Sequence, residues 1–260
     1  MMLNGKRLLI TGLVSEESIA FAVARRAQDL GAQVALSAFP RDLDRARAAA
    51  ASLPAEAPVV PCDLTSDDDL ASLRTTVADR WDALDGALHA VAFAPRSALA
   101  GDLLAVPAED LTVAFQTSCV SYAALGGILR DLAPPSGGSL VGLDFDAAGA
   151  WPVYNWMGVC KAALEAASRY AARDLGARGI RSNLIAAGPI HTRAASGIPD
   201  FGVLLDAWER QAPLPWDARD TGPVADATCF LFSELARAIT GEILHVDGGY
   251  HAMAAPLRCG

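Results

Sequence analysis

Tyr154 and Lys161 lie seven residues apart in the stretch Tyr154-Asn155-Trp156-Met157-Gly158-Val159-Cys160-Lys161, which leads into a helical pattern running through Arg173. Seven residues make nearly two helical turns, so both side chains fall on one face, roughly 10 Å apart along the axis. A single ligand can then meet a phenol and an ammonium together. A lysine beside a phenol favours the ionised form, and the phenol can donate to an oxygen on which negative charge develops. The same two residue types at this spacing also occur as ordinary surface and core residues, so the pair needs support from its surroundings.

A second candidate lies near the start of the chain. Thr11-Gly12-Leu13-Val14-Ser15-Glu16-Glu17-Ser18-Ile19-Ala20 joins a strand pattern to a helical one, and free N–H groups at a helix start attract a pyrophosphate. The dinucleotide fingerprint G-x-G-x-x-G uses three glycines for turning, close approach and packing. Here Gly12 stands alone, with Ser18 able to cap the helix or donate to phosphate. Capping by Ser15 or Ser18 without any ligand gives the same pattern.

The elements that must position these residues alternate along the chain. Short runs rich in Val, Ile and Leu at residues 7–11, 33–38, 59–62, 86–92, 139–143, 181–186 and 242–246 read as seven strands, separated by helical patterns. In the first helix Ile19, Ala20, Val23, Ala24, Ala27 and Leu30 recur at helical spacing, and Gly31 stops it. Residues 45–53 read as an Ala-rich helix and 134–138 as a tight turn. Such alternation predicts an α/β fold: one doubly wound Rossmann domain over residues 1–260, a seven-stranded parallel sheet with helices on both faces. Ligands of such sheets lie beyond the carboxyl ends of the strands, and the Tyr154–Lys161 pair follows the central strand. The least regular stretch, residues 192–217, carries Gly197, Pro199, Pro213 and Pro215, and such excursions often hold substrate contacts.

Composition narrows the class. The 260 residues are 52% hydrophobic and 20% charged, and the formal net charge is −9. An acidic chain without a long basic cluster is not expected to bind nucleic acid. No uninterrupted apolar run approaches the roughly 18 residues of a membrane span, and the run after Lys6 and Arg7 is too short for a signal-peptide core. A soluble protein of the cytoplasm with no membrane partner is the expectation. Cys62, Cys119, Cys160, Cys229 and Cys259 show no C-x-x-C spacing and read as free thiols, with Cys160 a small hydrophobe on a helix. His89, His191, His245 and His251 do not cluster in sequence, so no metal site is expected.

Taken together, the chain resembles the short-chain dehydrogenase/reductases and, within them, the enoyl-acyl carrier protein reductases of type II fatty acid synthesis. The resemblance rests on the glycine-poor loop from Gly12 to Ser18 with Ile19-Ala20, and on Tyr154 and Lys161 seven apart where ordinary members of the superfamily have four. Ala187-Gly188-Pro189-Ile190 followed by Thr192, and Thr240-Gly241-Glu242 leading to Val246-Asp247-Gly248-Gly249, complete it.

The resemblance implies NADH as cofactor, with Gly12, Ser18 and Ile19 at the pyrophosphate, Phe39 against adenine, and Asp63 and Leu64 at the adenine edge. It puts Val91 and Ala92 beside the nicotinamide ribose, Lys161 on the ribose hydroxyls, Ile190 at the carboxamide and Thr192 near the phosphates. Tyr154 would donate to the oxygen of a trans-2-enoyl thioester carried by acyl carrier protein or coenzyme A, and Phe145 stands where many relatives have a second tyrosine. The stretch Leu143-Asp144-Phe145-Asp146 is similar to the mycobacterial, isoniazid-target type. The segment from Ala194 to Phe201 is short, as in ordinary bacterial enoyl reductases, and implies short or medium acyl chains. A homotetramer is implied too, with the helix face of Ala162, Ala163, Ala166 and Ala167 serving as sheet packing or as a subunit interface. Arg41 is in principle able to meet a 2′-phosphate, although Phe39 and the resemblance favour NADH. Where relatives have serine and glycine, this chain has Ala90 and Ala92, and the Ala92 methyl is expected to crowd the cofactor. A carbonyl reductase of the same superfamily and a catalytically silent dinucleotide-binding protein remain the alternatives.

Overall fold

A computed structural model describes residues 1–257; Cys259 lies outside the described residues. Seven parallel strands form one sheet in the order β3-β2-β1-β4-β5-β6-β7. They are β1 (Arg7–Ile10), β2 (Gln33–Ala38), β3 (Val59–Pro61), β4 (Gly86–His89), β5 (Gly138–Asp144), β6 (Ile180–Ala187) and β7 (Ile243–Val246). The helices are α1 (Ile19–Asp29), α2 (Leu43–Ala50), α3 (Asp67–Arg80), α4 (Arg96–Leu99), α5 (Ala108–Phe115), α6 (Ser121–Leu132), α7 (Asn155–Gly176), α8 (Gly202–Gln211) and α9 (Gly222–Phe232). This is the doubly wound α/β fold that the alternation of patterns predicts.

The strands are apolar on both faces because both faces are covered. Leu8 and Ile10 of β1 pack with Val23 and Ala27 of α1, Ala46 of α2 and Cys229 of α9. Leu9, one residue out of phase, points the other way to Leu73 of α3, Leu125 of α6 and Leu164 of α7. Burying each such leucine contributes about 1.5–3 kcal/mol. Serine at position 18 starts α1, its Oγ accepting from the Phe21 N–H, and Gly31, at a φ of 95°, ends the turn after it.

Strand order reverses between β1 and β4, which lie side by side although β2 and β3 come between them in sequence. The loops that leave these two strands diverge there and open a crevice at the carboxyl edge of the sheet, where such folds bind ligands.

Three sequence expectations need correction. The fourth strand stops at His89 instead of continuing to residue 92, because its pairing ends at His89 with Gly142 and at Leu88 with Ile10. Past that point the Phe93 N–H and carbonyl are both held by the Ser118 hydroxyl, at 3.1 and 3.0 Å, so the chain turns away from the sheet. The region of residues 192–217 is not wholly irregular, since α8 occupies its middle with Leu204 and Trp208 buried. His245 and His251, far from a neighbouring pair in the sequence reading, stack at 3.8 Å, and Asp247 binds His251 at 3.0 Å. Among the described residues no group of three or more His, Cys, Asp or Glu side chains is placed to hold a metal ion.

One continuous helical stretch, Ala108–Leu132, is long and apolar enough by length and composition to cross a membrane. It contains a π-helical turn, Gln116–Val120, and lays Tyr122, Leu125 and Leu129 on the sheet, as a core helix does.

Candidate active site

A cleft of about 1140 Å³ runs along the carboxyl edge of β1, β2, β4, β5 and β6. Gly12, Ser18, Ile19, Phe39, Asp63, Leu64, Val91 and Ala92 line it, as do Phe145, Tyr154, Lys161, Ile190 and Thr192. Residues spread over most of the sequence thus meet in one place because each directly follows a strand or opens the next helix.

The loop after β1 enters the cleft with Gly12 at a φ of 79°. A Cβ at that position would stand 2.1 Å from the Ala90 carbonyl oxygen, so the single glycine of this loop is required by backbone approach alone. The Ser18 hydroxyl donates to the Ser15 carbonyl at 2.6 Å and accepts from Phe21 N–H at 3.2 Å; the capping reading therefore describes its contacts here, while the α1 N-terminus still faces the cleft. At the far end Arg41 lies 4.8 Å from the Phe39 ring centroid and 5.8 Å from that of Phe93, with Asp42 at 3.5 Å. Asp63 uses one carboxylate oxygen to accept from the Thr65 N–H at 2.9 Å and from its hydroxyl at 2.7 Å.

At the centre sits Lys161, only 4% exposed. Its Nζ donates to the Leu143 carbonyl oxygen at 2.7 Å, which leaves two of its three protons free for a ligand. Burial lowers its pKa, and the negative charge of Asp144 opposes that shift. Tyr154 is the residue preceding α7, with a φ of −120° and its carbonyl accepting from Met157 N–H at 2.9 Å. The phenol is therefore set at the mouth of the helix whose second turn carries the lysine.

The expected pull of Lys161 toward an ionised Tyr154 is not the dominant influence on the phenol. Burial, aided by Asp144 and Cys160, drives the phenol pKa well above its ordinary 10.0. Tyr154 keeps its proton and is a donor.

Sequence reasoning passed over Asp144. It is 5% exposed and lines the cleft, and neither carboxylate oxygen has a hydrogen-bond partner beyond a marginal approach of the Phe145 N–H. Burial raises its pKa from 3.8 to about 7, against the pull of Lys161 and with help from Glu165. A strand-final aspartate before an aromatic was visible in the sequence, but its isolation from donors is a tertiary fact. His89 is buried as well; desolvation and the Lys161 charge lower its pKa to about 3, so the imidazole is neutral and shares a 2.7 Å hydrogen bond with the Ser121 hydroxyl.

The other half of the cleft is apolar. Phe145 and Tyr154 face each other with ring centroids 4.9 Å apart, and Met157, Ile198, Phe201 and Leu204 continue the wall. Polar groups that can bind phosphate and ribose at one end, and a protonated phenol in an apolar recess at the other, suit an extended ligand beside a smaller, oily one.

Comparison with known proteins agrees with that division. Residues 12–251 match the family described as enoyl-(acyl carrier protein) reductase. The chain is 42% identical to the enoyl-(acyl-carrier-protein) reductase (NADH) of Neisseria meningitidis serogroup B, over 95% of each protein. It is 38% identical to the enzyme of that name from Mycolicibacterium smegmatis, over 95% of this chain and 97% of the relative. With that of Haemophilus influenzae it shares 39% identity, over 97% and 96%.

Proposed function

Since this chain belongs to the enoyl-(acyl carrier protein) reductase family, we propose that it reduces trans-2-enoyl thioesters to saturated acyl thioesters with NADH, in fatty acid synthesis and with the substrate on acyl carrier protein. The observation that carries this reading is the pairing of a buried Tyr154 with a buried Lys161 in one cleft.

The residues fit a dinucleotide. Gly12 leaves the α1 N-terminus open to a pyrophosphate, and Ser18 and Ile19 flank it. Phe39 offers a face for adenine beside Asp63 and Leu64, Val91 and Ala92 border the ribose region, and Ile190 and Thr192 close the opposite wall. Lys161, with two unused protons, is the group to hold ribose hydroxyls. Arg41 lies on Phe39 and beside Asp42 within the same cleft; the names of the NADH-dependent relatives support NADH. When bound, the reduced nicotinamide supplies a hydride for the β-carbon of the substrate.

The protein's own task is to manage the charge that follows. Reduction at the β-carbon moves the double-bond electrons toward the thioester oxygen, giving an enolate, and the Tyr154 hydroxyl donates to that oxygen. A donor aimed at developing charge in a dry site is worth about 10²–10³ in rate. Phe145 against Tyr154 keeps water from the phenol. Uptake of a proton at the α-carbon then completes the saturated product.

The proposal extends to a soluble, cytoplasmic homotetramer. Leu164, Ser168 and Leu175 turn one side of α7 inward, which leaves Ala162, Ala163, Ala166 and Ala167 off the sheet-packing side. Val159 on α7, with Phe115 and Val120 before it, is exposed there, and such apolar patches favour association.

The test is loss of NADH absorbance with an enoyl thioester, beside a ketone control. Enoyl turnover supports the reading. Turnover of the ketone alone, or NADH binding with no turnover of either, rejects it in favour of a carbonyl reductase or a silent binding protein.

A further inference from the structure

Behind Phe145 stands a block of aromatic side chains that takes no part in the chemistry. Trp208 and Tyr250 stack at 3.9 Å with their planes 11° apart. Trp151 packs on both, at 5.3 and 5.4 Å, and on Phe145 at 5.0 Å. Phe145 in turn touches Tyr154 at 4.9 Å and Trp208 at 5.7 Å. Three remote pieces of chain build the block: the loop after β5, helix α8 and the turn after β7.

The rings are held in place. The Trp151 indole N–H donates to the Asp146 carbonyl at 2.5 Å, and that of Trp208 to the Asp247 carbonyl at 2.9 Å. Asp247 also holds its own turn, accepting from Gly249 N–H at 2.8 Å and His251 N–H at 2.9 Å. Rings fixed by both stacking and hydrogen bonds do not swing aside for a ligand without losing those contacts. Phe145 and Tyr154 line the cleft, whereas Trp151, Trp208 and Tyr250 do not; they occupy the space directly beyond it.

An acyl chain whose thioester oxygen meets Tyr154 starts beside Phe145; past that ring it meets this block, while Met157, Ile198, Phe201 and Leu204 line the rest of the apolar half. We propose that Trp151, Trp208 and Tyr250 form the chain-length stop of this site, admitting short and medium enoyl groups and excluding long ones. Trp151 is the keystone, since it packs on Phe145 and on both members of the stacked pair. The assignment rests on the enoyl reductase reading and adds the substrate class within it.

The experiment compares kcat/KM for the coenzyme A thioesters of trans-2-octenoate and trans-2-hexadecenoate in the wild type, Trp151→Ala and Trp151→Met. NADH binding by fluorescence and the thermal midpoint report folding, and the methionine variant carries the test should the alanine variant fail to fold. The expected wild type strongly prefers octenoyl, and the hexadecenoyl-to-octenoyl ratio rises about tenfold or more in the variants, as opening a pocket by several methylenes allows. Wild type that uses hexadecenoyl as well as octenoyl overturns the stop. So does an unchanged ratio in a folded variant. Wild type that binds NADH and reduces neither thioester rejects the reductase reading itself, an outcome distinct from both.

Discussion

The Lys161 ammonium donates to the Leu143 carbonyl oxygen across 2.7 Å, tying the second turn of α7 to the end of β5 and fixing the charge inside the cleft. Lys161→Ala removes the cleft's buried cation, and NADH affinity and kcat/KM are expected to fall together, the latter about 100-fold or more. Lys161→Arg should not restore either, because a planar fork does not fit a space shaped for a compact ammonium. Fluorescence titration with NADH and steady-state rates check this; an alanine variant with wild-type NADH affinity would remove the lysine from the site.

Tyr154→Phe keeps the ring against Phe145 and deletes only the hydroxyl. The expected result is a loss of about 10²–10³ in kcat with little change in NADH affinity, because the donor acts only on charge that develops during reaction. Burial holds the phenol pKa above its ordinary range, so no alkaline fall in kcat is expected from this group between about pH 7 and about pH 9. A pH–rate profile showing tyrosine ionisation in that window would contradict the structure.

Much of this site is legible in the chain because it follows from strand ends. Gly12, Asp63, Lys161 and Ile190 each lie just past a strand or on the next helix, and alternation of patterns was enough to bring those stretches to one edge, while the individual roles came with the family resemblance. Spacing alone did not reveal the electrostatics: a lysine seven residues from a tyrosine suggests a lowered phenol pKa, yet desolvation outweighs it once both are buried. Asp144 escaped notice for the same reason, since nothing local says that a strand-final carboxylate lacks donors. Trp151, Trp208 and Tyr250 lie up to 99 residues apart, and their meeting depends on α8, a helix that the prolines and glycines of residues 192–217 had concealed. The end of β4 was misjudged because apolar residues at 90–92 continue the strand pattern while the partners that would pair with them stop.

Asp144 gives the stability a pH dependence of known sign. Its folded pKa is raised from 3.8 to about 7, so the unfolded chain ionises first as pH rises. The contribution is therefore fully present below about 3.8 and lost by about pH 7. Asp144→Asn cannot ionise. The difference in unfolding free energy between this variant and the wild type should move in the variant's favour between about pH 4 and about pH 7, by on the order of 1–3 kcal/mol, and stay level above that. The difference isolates Asp144 from Lys161, Glu165 and Asp146 and from the neutral Tyr154 around it, which are present in both proteins. Urea unfolding across this range measures it, and a difference that does not change with pH would mean the carboxyl is ionised throughout.

Gly12 and Gly5 separate backbone strain from crowding. Both have positive φ, 79° and 75°, so alanine at either meets the same left-handed penalty of about 1–2 kcal/mol. Around Gly5 a Cβ would find nothing within 4 Å, whereas at Gly12 it would stand 2.1 Å from the Ala90 carbonyl oxygen and 3.1 Å from Val91. The Ala90 carbonyl belongs to the loop pinned by Ser118 and has little freedom to retreat. Gly12→Ala must therefore push the loops after β1 and β4 apart, moving Val91 and Ala92 with them and widening the crevice at its base. It should cost more stability than Gly5→Ala, by about 1–3 kcal/mol, and should weaken NADH binding, which Gly5→Ala leaves intact. Paired denaturant titrations and NADH titrations decide the matter: equal stability losses, with binding intact in both, would show that the contact between the two loops does not shape the cofactor end of the cleft.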